Sequence, residues 1–318
     1  MGRFIVGRAA QAVVTLLVAL TLIWVAVSVL PGDPVRALFG FRQPTPEAYA
    51  QVQEQLHLDE PLLMQYLLYL RDLLSLNLGE SFPRDHFGRP EPGAPVNALI
   101  RATLPTSAII LAGAVVVQFV VGVVAGALSA ARAGTHLGRF VDLTALLLVS
   151  TPVLVAAYVS RTVFGIELGW LPVSGIGDGW PESYVLPILS LAALSTGYIT
   201  LLLKGEMDLA LKAPYTHAAR ARGIPDWRIT AVHAMRPSLI PVATFLAANV
   251  GQLLTGLIIV EGVFRVPGVG GLLFGAIAAR DRSIVVGVVT FVAVTVIVAN
   301  ALADMVVAAL DPRIRLSS

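Results

Sequence analysis

Six stretches of this sequence contain no Asp, Glu, Lys or Arg: residues 9–32, 102–131, 143–160, 183–203, 237–260 and 283–303. Each is at least 18 residues long and rich in Val, Leu, Ala and Ile. A helix needs about 20 apolar residues to cross the hydrocarbon core, and lipid offers its backbone no outside hydrogen-bond partner. These runs therefore predict an all-α integral membrane protein with six transmembrane helices. Charged residues make up only 13% of the chain, against about 25% in a soluble domain, which excludes an ordinary soluble fold. There is no cysteine, so disulfides, thiol catalysis and thiolate metal sites are excluded. A net charge of +2 gives no case for a nucleic-acid partner. Arg3 and Arg8 precede the first run as in a signal peptide, but the run exceeds the roughly 7–15 residues of an h-region and is expected to remain as a span. Two apolar runs are too short to cross: 61–70 suits an amphipathic helix, and the glycine-rich 266–279 a re-entrant or interfacial segment.

Basic residues in short loops mark the cytoplasmic side. Arg3 and Arg8 precede the first span, and Arg132 and Arg139 lie between the second and third. Lys204, Lys212, Arg220, Arg222, Arg228 and Arg236 lie between the fourth and fifth, and Arg313 and Arg315 follow the sixth. Loop 166–182 carries Glu167, Asp178 and Glu182 and no base. Both termini are thus expected in the cytoplasm. The expected organisation is 1–32 as N-terminus and first helix, 33–101 as an extracytoplasmic insertion, 102–310 as a five-helix core with a cytoplasmic loop at 205–236, and 311–318 as a tail.

The insertion reads as two helices, from Pro46 to about Leu56 and from Pro61 to Leu76, followed by an irregular loop at 81–95. It is either a plain surface cap or a dock for a delivering partner. In the cytoplasmic loop, Asp208 to Arg222 can be helical with an interruption at Pro214. Gly223 supplies a C-terminal stop, and Pro225 with Asp226 starts a second helix. Ile224, Trp227, Ala231 and Met235 recur at helical spacing on that second helix, which is expected to end at Pro237. Such an elbow either fixes topology by its charge or docks a soluble partner, its apolar face filling a groove while arginines set orientation.

At this elbow the sequence becomes recognisable. Tyr215-Thr-His-Ala-Ala-Arg-Ala-Arg-Gly223, followed by His233-Ala-Met-Arg236-Pro-Ser-Leu-Ile-Pro241, resembles the coupling loop of ABC-type import permeases. In particular it resembles the first permease subunit of the dipeptide/oligopeptide/nickel family. The resemblance extends through Pro31-Gly32-Asp33-Pro34, Leu58-Asp59-Glu60-Pro61, Gln65-Tyr66-Leu67 and Leu78-Gly79-Glu80-Ser81. It continues in Val260-Glu261-Gly262-Val263-Phe264, Pro267-Gly268-Val269-Gly270, Asn300, Asp304 and Leu310-Asp311-Pro312-Arg313-Ile314-Arg315. The chain departs from that family at His217, where the general loop motif is acidic, and at the loop's later proline, which lies further from the glycine. It departs also at Asn77, in place of a commonly acidic residue, and at Arg282-Ser283, in place of an aromatic- or aliphatic-proline pair.

The resemblance implies a type I ABC importer permease fold in a bacterial plasma (inner) membrane. It also implies a second, homologous permease, two ATPase subunits or one fused ATPase, and an extracytoplasmic substrate-binding protein, all acting in membrane lipid. This chain would hold no cofactor, ATP and Mg being bound by the ATPases. Tyr215, Ala218, Ala219, Arg220, Gly223, Pro225 and Asp226 would form the ATPase-coupling surface, where small residues permit close contact. Asn249, Glu261, Phe264, Gly268 and Asn300 are candidates for a gate or translocation path. The substrate class is di- or oligopeptide, with nickel chelate, glutathione or oligosaccharide as alternatives.

Other readings of the residues remain for several of these. Asn249 and Asn300 suit interhelical hydrogen bonds as well as substrate contact. Glu261 is either an interfacial acid paired with Arg265 or Arg280, or a group that receives a peptide amino terminus. An ion-coupled secondary transporter would place ionisable groups at mid-membrane, and the six runs have none. A membrane enzyme is disfavoured by the lack of His-Glu-x-x-His and Gly-x-Ser-x-Gly. The lack of Gly-x-x-x-x-Gly-Lys-Ser/Thr puts ATP hydrolysis on other subunits.

Overall fold

The computed structural model describes residues 2–29, 33–39, 43–81, 93–177, 179–279 and 281–310. The Pro31-Gly32 turn, most of the 81–95 loop, Asp178, Arg280 and the 311–318 tail lie outside the described residues. Helices dominate: α1 (Gly2–Val29), α2 (Pro34–Phe39), α3 (Pro46–Gln55), α4 (Leu62–Leu74), α5 (Val96–Ala131), α6 (His136–Ser150) and α7 (Val153–Ser160). Then follow α8 (Glu182–Leu211), α9 (Pro214–Ala221), α10 (Asp226–Arg228), α11 (Met235–Ala248), α12 (Val250–Phe264), α13 (Val269–Ala279) and α14 (Arg282–Leu310). Two wider i→i+5 stretches extend helices, Arg161–Glu167 after α7 and Ile229–Ala234 between α10 and α11. Among the described residues, β pairing is an isolated bridge between Glu80 and Pro95.

Among the described residues, four helices are long and apolar enough to cross a membrane: α5, α8, the continuous Asp226–Ala248 and Arg282–Met305 of α14. The number is six if the bent pairs α6–α7 and α12–α13 each count as one span. Helix α1, 28 residues from Gly2 to Val29, covers most of the first expected run. Two of the expected runs take a different form. Run 143–160 is not one straight helix: α6 and the helix begun by α7 meet at 109°. Pro152 is the reason, because it disfavours the helical conformation in the residue before it, and Thr151 is extended at φ −95° and ψ 114°. Run 237–260 breaks at Asn249, between α11 and α12.

The chain forms two compact units. One comprises Met1–Ala9, Ser107–Val266 and Val298–Ser318, the other Ala10–Thr106 and Pro267–Ile297. The first is organised around α8. Of the most apolar stretch of α8, 61% is buried, against 17–22% for the other three long helices. Its first half packs Leu186, Ile188 and Leu191 with Ile110 of α5, Ala157 of α7 and Leu257 and Val260 of α12. Its later half packs Ile199, Leu203 and Met207 with Ala130 of α5, Ala234 and Val242. Small residues let the backbones approach, as in lipid they must: a Cβ on Gly126 would sit 2.8 Å from the Thr200 carbonyl oxygen. One on Gly197 would sit 2.5 Å from that of Ala145. Between α6 and α8, Lys204 Nζ pairs with Asp142 Oδ2, and Ser129 of α5 donates to Asp142 Oδ1. Arg8 pairs with Asp304 at 3.2 Å.

The second unit contains the segment after α1. Asp33 caps α2, its Oδ1 accepting from the Val35 and Arg36 amides at 2.9 and 3.1 Å. Its Oδ2 accepts from the Tyr49 hydroxyl at 3.0 Å. That bond, more than any other influence, raises the Tyr49 pKa. Val35, Phe39 and Val52 form a small core of their own. Helix α3 begins on Thr45 Oγ1, which accepts from Ala48 N, and α4 follows Pro61. Both agree with the expected helices. A second core joins Val96 and Ile100 of α5 with Val269 and Ala276 of α13 and Ile284 and Val288 of α14.

Candidate functional site

The elbow 212–236 lies at the end of α8. After Leu211 the chain turns through Lys212 and Ala213 and begins α9 at Pro214, where a missing N–H costs nothing. Thr216 is fully buried and donates to the Ala210 carbonyl at 2.7 Å, fastening α9 under α8. Ala219 is also buried, while Tyr215, Ala218 and Arg220 are exposed. Helix α9 closes with a Schellman motif. The Ile224 amide donates to the Ala219 carbonyl at 3.2 Å and the Gly223 amide to the Arg220 carbonyl at 2.9 Å. Gly223 stands at φ +76°, the left-handed conformation that motif needs. Pro225 caps α10, and Asp226 is its first residue. Arg220 Nε reaches back to Asp226 Oδ1 at 3.1 Å, bracing the two arms across the turn.

The second arm differs from expectation in two ways. It does not end at Pro237, because the helix continues through that residue into α11. Nor do Ile224, Trp227, Ala231 and Met235 form one uniformly open apolar face, since Ile224 and Met235 are half-buried. Ile229, Ala234, Ser238 and Val242 turn inward instead, while Trp227 is 70% exposed and Ala231 is exposed. The wide turns of Ile229–Ala234 close i→i+5 rather than i→i+4 hydrogen bonds and so take more than 3.6 residues each, which moves the apolar register. The elbow therefore presents Tyr215, Ala218 and Trp227 beside Arg220, Arg222 and Arg228, all solvent-exposed. This surface is aromatic and basic, with Asp226 already engaged.

The candidate path residues do not form one cluster. Asn249, almost fully buried, occupies the α11–α12 break and donates from Nδ2 to Ser195 Oγ of α8 at 2.8 Å. Asn300 packs on the same turn, since a Cβ on Gly251 would overlap its Oδ1. Glu261 and Phe264 lie about 18 and about 22 Å further along α12 at 1.5 Å per residue. Both are buried, Glu261 completely, so Glu261 is not an acid at a surface. The Phe264 carbonyl accepts from the Gly175 amide at 2.9 Å. Gly268 offers its carbonyl to the Leu272 amide at the start of α13. Sequence reasoning missed Thr216, Ser195 and the Ser129–Asp142–Lys204 cluster. The first is signalled only by its place two residues after a helix-starting proline, and the others carry no sequence signal.

The family comparison decides the class. Residues 122–316 match the binding-protein-dependent transport system inner membrane component. The chain belongs to that family. Residues 1–88 match the N-terminal part described for the same membrane components. Relatives extend over whole chains. The oligopeptide transport system permease protein OppB of Haemophilus influenzae is 33% identical over 317 residues, 99% of this chain and 100% of its own. OppB of Salmonella typhimurium is 31% identical over 315 residues, with 99% and 100% covered. A putative peptide transport system permease protein of Brucella abortus is 30% identical over 321 residues, with 99% of each covered. The chain is thus an ABC importer permease subunit, a multi-pass membrane protein that works with other subunits and is not itself an enzyme.

Proposed function

We propose that this permease subunit forms half of the path by which short peptides enter the cell, receiving them from an extracytoplasmic binding protein. The single observation carrying the peptide reading is its full-length similarity to relatives named for oligopeptide transport. In this reading α1, α5, α6–α7, α8, α11–α12 and α14 are the six spans, α13 is re-entrant, and residues 33–101 lie outside. Both termini and the 205–236 loop are cytoplasmic, in keeping with the arginines of the short loops. The elbow docks an ATPase subunit: Tyr215, Ala218 and Trp227 enter its groove and the arginines orient it. Arg220 and Asp226 hold the two arms at a fixed angle, while Ala219, Gly223 and Pro225 shape the turn. ATP and Mg are bound by two ATPases or a fused one, and a second homologous permease completes the pathway. Asn249 and Asn300 support the α11–α12 break, and Glu261, Phe264 and Gly268 border the path further along. The test is growth of a deletion strain on di- and tripeptides as sole nitrogen source, with and without the restored gene. Growth restored by the gene is expected; equal growth of deletion strain and parent would refute the peptide reading.

A further inference from the structure

The second unit encloses a cavity of about 440 Å³. That lies in the range of about 300–1,000 Å³ typical of small-molecule sites. Its walls come from α3, α4, the Asn77–Glu80 segment and the first turns of α14. The floor is a hydrogen bond between the hydroxyls of Tyr69 and the fully buried Thr290, at 2.8 Å. Burial raises the Tyr69 pKa even against that bond, as expected where little water reaches. One wall is tightly set, for a Cβ on Gly287 would sit 2.7 Å from Val96 Cγ1 and 3.0 Å from the Leu78 carbonyl oxygen.

Three charged side chains line this space: Asp72, Glu80 and Arg282. Arg282 is partly buried and enters no hydrogen bond or ion pair among the described residues. A guanidinium withdrawn from water without a partner is unfavourable, and its planar donor fork matches a carboxylate in bidentate fashion. The cavity's own acids do not supply one. Asp72 is held by Arg71 at 3.0 Å, and Glu80 has an exposed side chain on a segment bridged to Pro95. A cation without a partner and two carboxylates around one cavity are the complement of a zwitterion.

We propose that the cavity binds the free termini of a short peptide, its carboxylate on Arg282 and its ammonium facing Asp72 and Glu80. The site rests on the peptide reading above and adds a holding position built wholly within the second unit. Asn77 and Gln65 line the same space; Asn77 Oδ1 accepts from the Gly79 amide and Gln65 Nε2 donates to the Glu60 carbonyl, which leaves Asn77 Nδ2 and Gln65 Oε1 to meet peptide backbone.

The test uses the full chain in lipid nanodiscs without a binding protein. Binding of trialanine and of trialanine amide is measured by calorimetry. Trialanine is expected to bind wild type at least tenfold more tightly than its amide does. Arg282→Gln should weaken trialanine by a similar factor and leave the amide unchanged, with Arg282→Lys intermediate. The wild-type comparison of the two peptides needs no substitution and so survives any folding defect in the variants. Equal binding of the two peptides to wild type, or unchanged trialanine binding to folded Arg282→Gln, would overturn the site. Peptide-dependent growth separates the failures: if it persists while the peptides bind equally, only the cavity proposal falls, and if it is absent, the peptide reading falls with it.

Discussion

Gly223 distinguishes two explanations of the elbow. One holds that a small residue is needed so that the ATPase can approach; the other, that the backbone itself requires glycine. The structure favours the second. Gly223 sits at φ +76° in the Schellman turn, and no atom lies within 4 Å of the place a Cβ would occupy. Within this chain a side chain there meets strain and no neighbouring atom. For an ordinary L-residue the left-handed conformation costs roughly 1–2 kcal/mol, or about a 5- to 30-fold loss in the population of the closed turn. Asn tolerates that conformation better than Ala, and a β-branched residue worse. Conformation therefore predicts the order Gly223→Asn, then Gly223→Ala, then Gly223→Val for retained transport. Steric access predicts a different order, with Gly223→Ala best and the similarly bulky Asn and Val variants both impaired. Peptide uptake by cells carrying each variant is the assay, normalised to the amount of permease in the membrane. If Gly223→Asn is as inactive as Gly223→Val while Gly223→Ala is near wild type, the conformational argument is wrong and close approach is the cause.

Two further outcomes follow from polar contacts. Lys204→Met strips Asp142 of its cation and leaves Ser129 as its partner; the two charged side chains are still 26% and 28% exposed. The loss should therefore be about 1–3 kcal/mol, below that of a fully buried pair. Adding Asp142→Asn should recover part of the unfolding midpoint in detergent, and a double variant less stable than the single would contradict this. Tyr49 has a native pKa above its ordinary 10.0, chiefly through its bond to Asp33. Its stabilisation is then complete below pH 10 and is lost as pH rises through the higher native value. Hydrogen exchange in α3 should show that alkaline loss in wild type and not in Tyr49→Phe; the same loss in both would count against the bond.

Charge-free runs reveal where a chain must be apolar, and they revealed most of α5, α8 and α14. They are blind to bends, because a bend between two apolar helices leaves the run unbroken. Thr151-Pro152 was visible as a local rule about the residue before proline, yet nothing in that rule gives the 109° that tertiary packing imposes. The elbow shows the same limit more sharply. Pro214, Gly223, Pro225 and Asp226 each act on their own backbone, so their roles were legible one residue at a time. The apolar face was not, because it depends on residues per turn, and Ile229–Ala234 winds more widely than an α-helix. A spacing of 3.6 groups Trp227 with Ile224, Ala231 and Met235; the wider turn buries Ile229 and Ala234 and leaves Trp227 in solvent. Trp227, which the spacing offered to a partner's groove, is therefore exposed, while Ile229 and Ala234, outside that spacing, take up the internal packing. A local change of helical pitch has thus set which residues face inward without altering a single letter of the pattern.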